Sequence, residues 1–236
     1  AELRATLEST ADGILVTDLS GSVRNYNRHF ARLWDMPEEL LLQRNDRALY
    51  QYLASCVVDR EAYEARLAEI EQSRPVQATD VLELHSGRLL ERVTLPQYSR
   101  GRSIGRVFSF RDITQRVDAE SRQRLAAKVF ESSLDAIFIT GPDFRILAVN
   151  PVCERLLQTT QQALIGTPAR ELFHEPLDPG LFARVERKLA EDGYWEGDAW
   201  SSQASRASFA VQISWVLLRD EGGAVLNTIG FFKDNT

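Results

Sequence analysis

The chain has 236 residues, 44% of them hydrophobic and 26% charged, with 28 Lys and Arg against 34 Asp and Glu and a formal net charge of −6. That balance, with no basic run, excludes the electrostatic footprint of a protein built for nucleic acid or for an anionic membrane, and no apolar run approaches the roughly 18 residues that span a bilayer. Two cysteines, Cys56 and Cys153, are too few for a disulfide framework and have no second ligand at a metal spacing, so a reducing, cytoplasmic setting is expected.

The N-terminal "AELRATLEST" lacks the charged and apolar regions of a signal peptide. A start without Met and an ending on the strand-like "FFKDNT" read as an excised piece of a longer protein. The segment Leu7 to Asn27 lies over Phe130 to Asn150 without a gap. Glu8, Ser9, Asp12, Ile14, Thr17 and Asn27 meet identical residues at Glu131, Ser132, Asp135, Ile137, Thr140 and Asn150. Near the far end of each copy, "SFRDIT" is matched by "FFKDNT", with Asp112 over Asp234. Self-similarity at a fixed spacing is read before any local pattern; it predicts two copies of one domain, at residues 1–112 and 130–236, with a linker over 113–129.

In the first copy "GILVT", the turn "DLSGS" and "VRNYN" form a predicted hairpin. The period then becomes helical, with Phe30, Leu33 and Trp34 on one face and Asn27 placed as N-cap. Short helices are expected over "PEELL" and "DRALYQYL", then over "REAYEARLAEIEQS", whose Tyr63, Leu67 and Ile70 share a face. Three alternating runs, "VQATDVLEL", "LLERVTLPQY" and "IGRVFSF", close the copy. The second copy repeats the hairpin as "AIFIT", "GPDF" and "RILAVN", with Asn150 as the equivalent cap. The expected fold is α+β: in each copy a five-stranded antiparallel sheet with helices packed on one face.

At the junction, Asp112 precedes "ITQRVDAESRQRLAAKVFESS", and with Gln115 three residues on it can make a capping box. Ile113, Val117, Leu125 and Val129 fall on one stripe of a helical linker, which either packs against the next domain or forms half of a two-helix seam.

These stretches resemble the PAS family, the sensory domains of bacterial signalling proteins. The resemblance covers both copies and rests on "ADGILVTDLSGSVRNYNRHFARLW", "LDAIFITGPDFRILAVNPVCERLL", "GYWEGDAW" and the two closing segments. It implies a sensory and dimerisation input module for an output domain such as a histidine kinase or a cyclic-di-GMP enzyme. The homodimer would form through the linker helix and the N-terminal helix, and the signal-relay junctions would be Asp112, Thr114 and Gln115 in one copy and Asp234 and Thr236 in the other. The second copy departs from the family at "SSQASRAS" and at Asn235.

No nucleophile with a base, no carboxylate pair and no phosphate loop is apparent, so catalysis by this chain is not expected. Cys153 in "NPVCERLL" lies in an earlier helix than the flavin-reactive thiol of the light-sensing LOV branch. Trp195 in "GYWEG" matches an aromatic-Trp-x-Gly segment that lines the flavin pocket of some PAS redox sensors, so FAD is the cofactor the resemblance offers the second domain. The alternative is that Trp195, Trp200 and Trp215 are core aromatics, and Trp34 has the same two readings. His174 is the one candidate haem ligand, and haem is the less favoured cofactor. Arg92 and Arg106 lie in presumed strands, where a charge faces solvent or meets an anionic small-molecule ligand.

Overall fold

A computed structural model of the chain describes residues 7–73, 77–174, 180–201 and 209–235. The contacts divide it into two units, Ala1–Ser121 and Arg122–Thr236. The boundary falls within a helix that runs Thr114–Ser132, three residues beyond the expected linker.

In the first unit, strands β1 (Gly13–Asp18) and β2 (Val23–Tyr26) form the hairpin. Helices α1 (Arg28–Leu33), α2 (Glu38–Gln43), α3 (Asp46–Cys56) and α4 (Arg60–Ser73) follow. Strands β3 (Ala78–Glu83), β4 (Leu89–Ser99) and β5 (Arg102–Asp112) complete an antiparallel sheet of order β2-β1-β5-β4-β3. The helices cover one face because that face is apolar. Leu15, Leu82, Leu90, Phe108 and Phe110 point inward and meet Phe30, Leu33, Trp34, Leu53 and Tyr63, and burying side chains of this size contributes roughly 1.5–3 kcal/mol each.

Helix α5 (Thr114–Ser132) leads to β6 (Ala136–Thr140), β7 (Ile146–Val149), α6 (Pro151–Leu157), α7 (Gln161–Leu164), a 3-10 turn at Ala169–Leu172 and the two-residue β8 (Phe173–His174). Helix α8 (Leu181–Asp192) then precedes β9 (Tyr194–Ser201), β10 (Phe209–Arg219) and β11 (Val225–Asp234). The sheet order is β7-β6-β11-β10-β9-β8. The five expected strands thus gain a short sixth at the edge, formed where Phe173 and His174 pair with Ser201 and Trp200.

Both predicted caps form, and each does more than cap. Asn27 Oδ1 accepts from the N–H groups of Ile14 and Phe30, while its Nδ2 donates to the carbonyls of Leu7 and Asp12. Asn150 repeats these four bonds: Oδ1 accepts from Ile137 and Cys153, and Nδ2 donates to Phe130 and Asp135. One buried amide therefore joins the incoming segment, the first strand and the first helix of its domain. In the second domain that incoming segment is the last turn of α5.

Trp200 departs from the core reading. Residues of one parity on β9 face the helices, so Trp195, Gly197, Ala199 and Ser201 point inward and Trp200, an odd number of steps from Trp195, points out and is 39% exposed.

Cys153 is fully buried and burial pushes its thiol up to about 12, whereas Cys56 is half-buried. At pH 8 the buried thiol is ionised to about one part in ten thousand. We expect Ellman's reagent to titrate Cys56 promptly in the folded chain and Cys153 only on unfolding; two equally fast thiols would contradict this packing.

Candidate functional site

The inner face of the first sheet is built by β3, β4 and β5. Asp80, Arg92 and Phe110 lie in one cross-strand row, and Ala78, Thr94 and Phe108 in the next. Since Leu90, Arg92 and Thr94 share a parity, the apolar burial of Leu90 carries the other two inward. Arg92 is only 1% exposed, which corrects the solvent-facing expectation.

Its Nε donates to Asp80 Oδ1 at 2.8 Å, and its guanidinium carbon sits 5.3 Å from the centre of the Tyr63 ring. Asp80 is shared, because its Oδ2 also accepts from Arg66 Nε at 3.3 Å. Burial pushes the Tyr63 phenol up to about 12, so it stays neutral. Trp34 lies edge-on to Phe110, with centroids 5.5 Å apart. Three buried polar atoms here have no hydrogen-bond partner among the described residues: Arg92 Nη2, Thr94 Oγ1 and Trp34 Nε1.

The second domain fills the same lattice positions differently. Register places Ile213 beside Phe232 and Gly197, where the first domain has Arg92 beside Phe110 and Asp80. The next row is Trp195, Trp215, Gly230 and Phe138, against Ala78, Thr94, Phe108 and Leu15. Trp215 Nε1 donates to Thr228 Oγ1 at 2.7 Å, and Thr228 pairs with Thr140 at 2.5 Å. Phe138 stands edge-on to Trp215 at 5.0 Å and packs against Phe173 and Phe232.

The Trp-x-Gly segment has a steric reading. The Trp195 ring lies over Gly197, where a Cβ would come within 2.6 Å of Cζ2. Trp195 is thus an inner-face residue covering a glycine. Among the described buried polar atoms of this domain, Ser201 Oγ alone lacks a partner. An isoalloxazine needs donors and acceptors along its pyrimidine edge, and on the described inner face Trp215, Thr228 and Thr140 spend theirs on one another. The side chain of His174 and the residue Thr236 lie outside the described residues, and no group of three metal-ligating side chains occurs among those described.

At the junction Asp112 Oδ1 accepts from both the N–H and the hydroxyl of Thr114, at 3.0 and 2.5 Å. The bond reaches Thr114, one residue short of the expected partner Gln115, which is exposed. Thr114 Oγ1 in turn accepts from Leu89 N at 2.9 Å, tying the start of β4 to the start of α5. Arg88 bridges further: Nη1 donates to the carbonyls of Arg32 and Leu33 and to Asp35, and Nε lies 4.0 Å from Asp112. The residue after Leu33 is Trp34, so one arginine spans the inner-face site and the helix junction. Close by, hydrogen bonds from Arg111 hold the Asp12 carboxyl below the usual range against partial burial. Ile113 is buried in the first domain, whereas Leu125 and Val129 are 64% and 62% exposed on α5. Asp234 is exposed at the end of β11.

Arg88, Asp80 and Thr94 are absent from the sequence-based site. Thr94 carried a signal, standing two residues from Arg92 on a strand. Arg88 carried none, since the groups that its Nη1 meets lie 53 to 56 residues away.

Known families match both copies. The family described as PAS fold matches residues 7–118, and the one described as PAS domain matches residues 134–236. This chain is a tandem of two PAS domains. PAS domains are non-catalytic sensory domains, and no enzymatic domain is matched. No curated protein matches the chain. Similar solved structures include a PAS domain from Colwellia psychrerythraea at 22% identity, covering 49% of this chain and 98% of that one with a TM-score of 0.45. A domain of a sensory box sensor histidine kinase/response regulator from Geobacter sulfurreducens is 18% identical, covering 49% and 96% with a TM-score of 0.42. A light-oxygen-voltage domain studied with a flavin analogue is 21% identical, covering 48% and 85% with a TM-score of 0.42. No helix among the described residues is long and apolar enough to cross a membrane.

Proposed function

We propose that the tandem PAS chain is a sensory input module in which the first domain takes up a small molecule on the inner sheet face and passes the change to α5. The observation that supports this most directly is the tie from Trp34's end of α1 through Arg88 to Asp112 and Thr114. A ligand that moves α1 against the sheet moves Arg88, and Arg88 adjoins the carboxylate that starts the helix. Only a ligand with different affinities for two arrangements shifts them. Helix α5, with Leu125 and Val129 exposed on one stripe, is read as one strand of a parallel homodimer seam. The output such a seam would drive is a histidine kinase or a cyclic-di-GMP enzyme. The second reading, a ligand-free scaffold, is favoured by the filled interior of the second domain and applies to that domain.

The test is hydrogen exchange on Asp112→Ala and Arg88→Met, with sedimentation of the wild-type chain. Loss of a capping carboxylate costs about 1 kcal/mol, so exchange in the first turn of α5 should rise about fivefold in Asp112→Ala while the core of β4 and β5 stays protected. Arg88→Met should give a smaller rise at the same amides. Unchanged exchange there would show that the junction is not held by these bonds, and a monomer at 100 μM would remove the dimer seam.

A further inference from the structure

We propose that the first domain's inner face binds a short aliphatic or aromatic monocarboxylate, held by Arg92, Thr94 and Trp34. This names the ligand class for the sensory reading above and rests on it for the consequence of binding.

Arg92, Thr94 and Trp34 are each at least 99% buried, and each leaves a donor without an acceptor. They belong to one patch: Thr94 is two residues from Arg92 on the same face, and Trp34 packs on Phe110, the cross-strand partner of Arg92. A guanidinium and an indole can only donate. A water there could accept from them but would bring two protons of its own to place. A carboxylate, with about four lone-pair sites and no proton to place, has acceptors enough for all three groups.

Charge points the same way. Asp80 divides its two oxygens between Arg92 and Arg66. Arg66 is partly exposed and also reaches Glu69 at 2.7 Å, while Arg92 is buried with half of one carboxylate. A buried cation calls for a full, hydrogen-bonded partner. One cation among Phe108, Phe110 and Tyr63 selects one carboxylate on an apolar body. A groove of about 380 Å³ between α4 and β3 has Tyr63 and Asp80, the two residues that hold Arg92, in its wall. The second domain has Ile213 and Trp215 at the equivalent positions, and the indole of Trp215 already has its acceptor in Thr228.

The experiment follows the indole N–H resonances of the intact chain, in which Trp34 is the one tryptophan of the first domain. Sodium propionate, pyruvate and benzoate are titrated separately, with propionamide and sodium chloride at matched ionic strength as controls. We expect a saturable shift of the Trp34 resonance with at least one carboxylate, no saturable shift with either control, and the other three indoles unmoved. Thr94→Val removes a buried hydroxyl that has no partner, so the free variant should melt about 4 °C higher while its carboxylate affinity falls about tenfold. Arg92→Met should lose the saturable shift and keep a dispersed Trp34 resonance. No saturable Trp34 shift with any of the three carboxylates, an equal shift with propionamide, or a lower melting point for Thr94→Val would overturn the site. A saturable Trp34 shift with an unmoved Thr114 amide would keep the site and overturn the relay.

Discussion

Asn150→Ala should destabilise the second domain by about 4 kcal/mol and leave the first unaffected. The side chain is wholly buried and makes four hydrogen bonds, two to N–H groups and two to carbonyls. Truncation leaves four backbone groups, in α5, the turn before β6, β6 and α6, without their side-chain partner, at about 1–3 kcal/mol for each that water cannot reach. Some relief comes from water entering the space of the lost amide, which sets the figure below the sum. Cys153 provides the readout, because its N–H is one of the four partners and its thiol is buried in the same domain. By the rule of tenfold per 1.4 kcal/mol, labelling of Cys153 through opening should accelerate about a thousandfold, with the Cys56 rate unchanged. Asn150→Asp is the sharper control. It keeps an acceptor for Ile137 and Cys153 but sets a carboxylate against the carbonyls of Phe130 and Asp135, so it should be no better than alanine at pH 7. A rate within threefold of wild type for Asn150→Ala would show that the amide is not the clasp between α5 and the second sheet.

The same residue shows how far sequence reasoning reached. Asn27 and Asn150 are readable as caps because a cap is a local event, a side chain turning back on the N–H three residues ahead. Their other bonds, to Leu7 and Phe130, cross 20 residues and depend on how the chain returns. Strand parity likewise reveals which residues share a face, so "LLERVTLP" already groups Arg92 with Leu90 and Thr94. Assigning that face to the interior is a matter of following Leu90, and without that step Arg92 keeps both readings, solvent or an anionic ligand. Parity also separates Trp195 from Trp200, five residues apart, and corrects the grouping of all three tryptophans into one core. What no local pattern carries is the register between strands. The exchange of Thr94 and Phe108 for Trp215 and Gly230 appears only once the rows are aligned, and that exchange separates a donor-bearing interior from a filled one.

Gly230→Ala is expected to cost about 3 kcal/mol, and the reason bears on what the second domain can hold. Gly230 is the cross-strand partner of both Phe138 and Trp215, and a Cβ placed on it would overlap the Cζ end of the Phe138 ring. That ring cannot step aside, since Phe173, Phe232 and Trp215 surround it with centroids 5.0 to 6.2 Å away, and overpacking a core of this density costs about 1–3 kcal/mol or more. Phe138→Leu alone should cost about 1–2 kcal/mol through the space it leaves. Together the two changes should cost less than their sum by at least 1 kcal/mol, because the methyl enters the space that the ring vacates. A denaturant series on the four chains, read through Cys153 exposure, gives this coupling directly, and strict additivity would mean that Phe138 does not occupy the place of the missing side chain. The coupling, once measured, states how tightly side chains close the inner face of the second sheet. A domain closed in that way has its volume taken up by its own rings, which is why the ligand proposed here is placed at the unpartnered donors of the first domain and not at the Trp-x-Gly segment of the second.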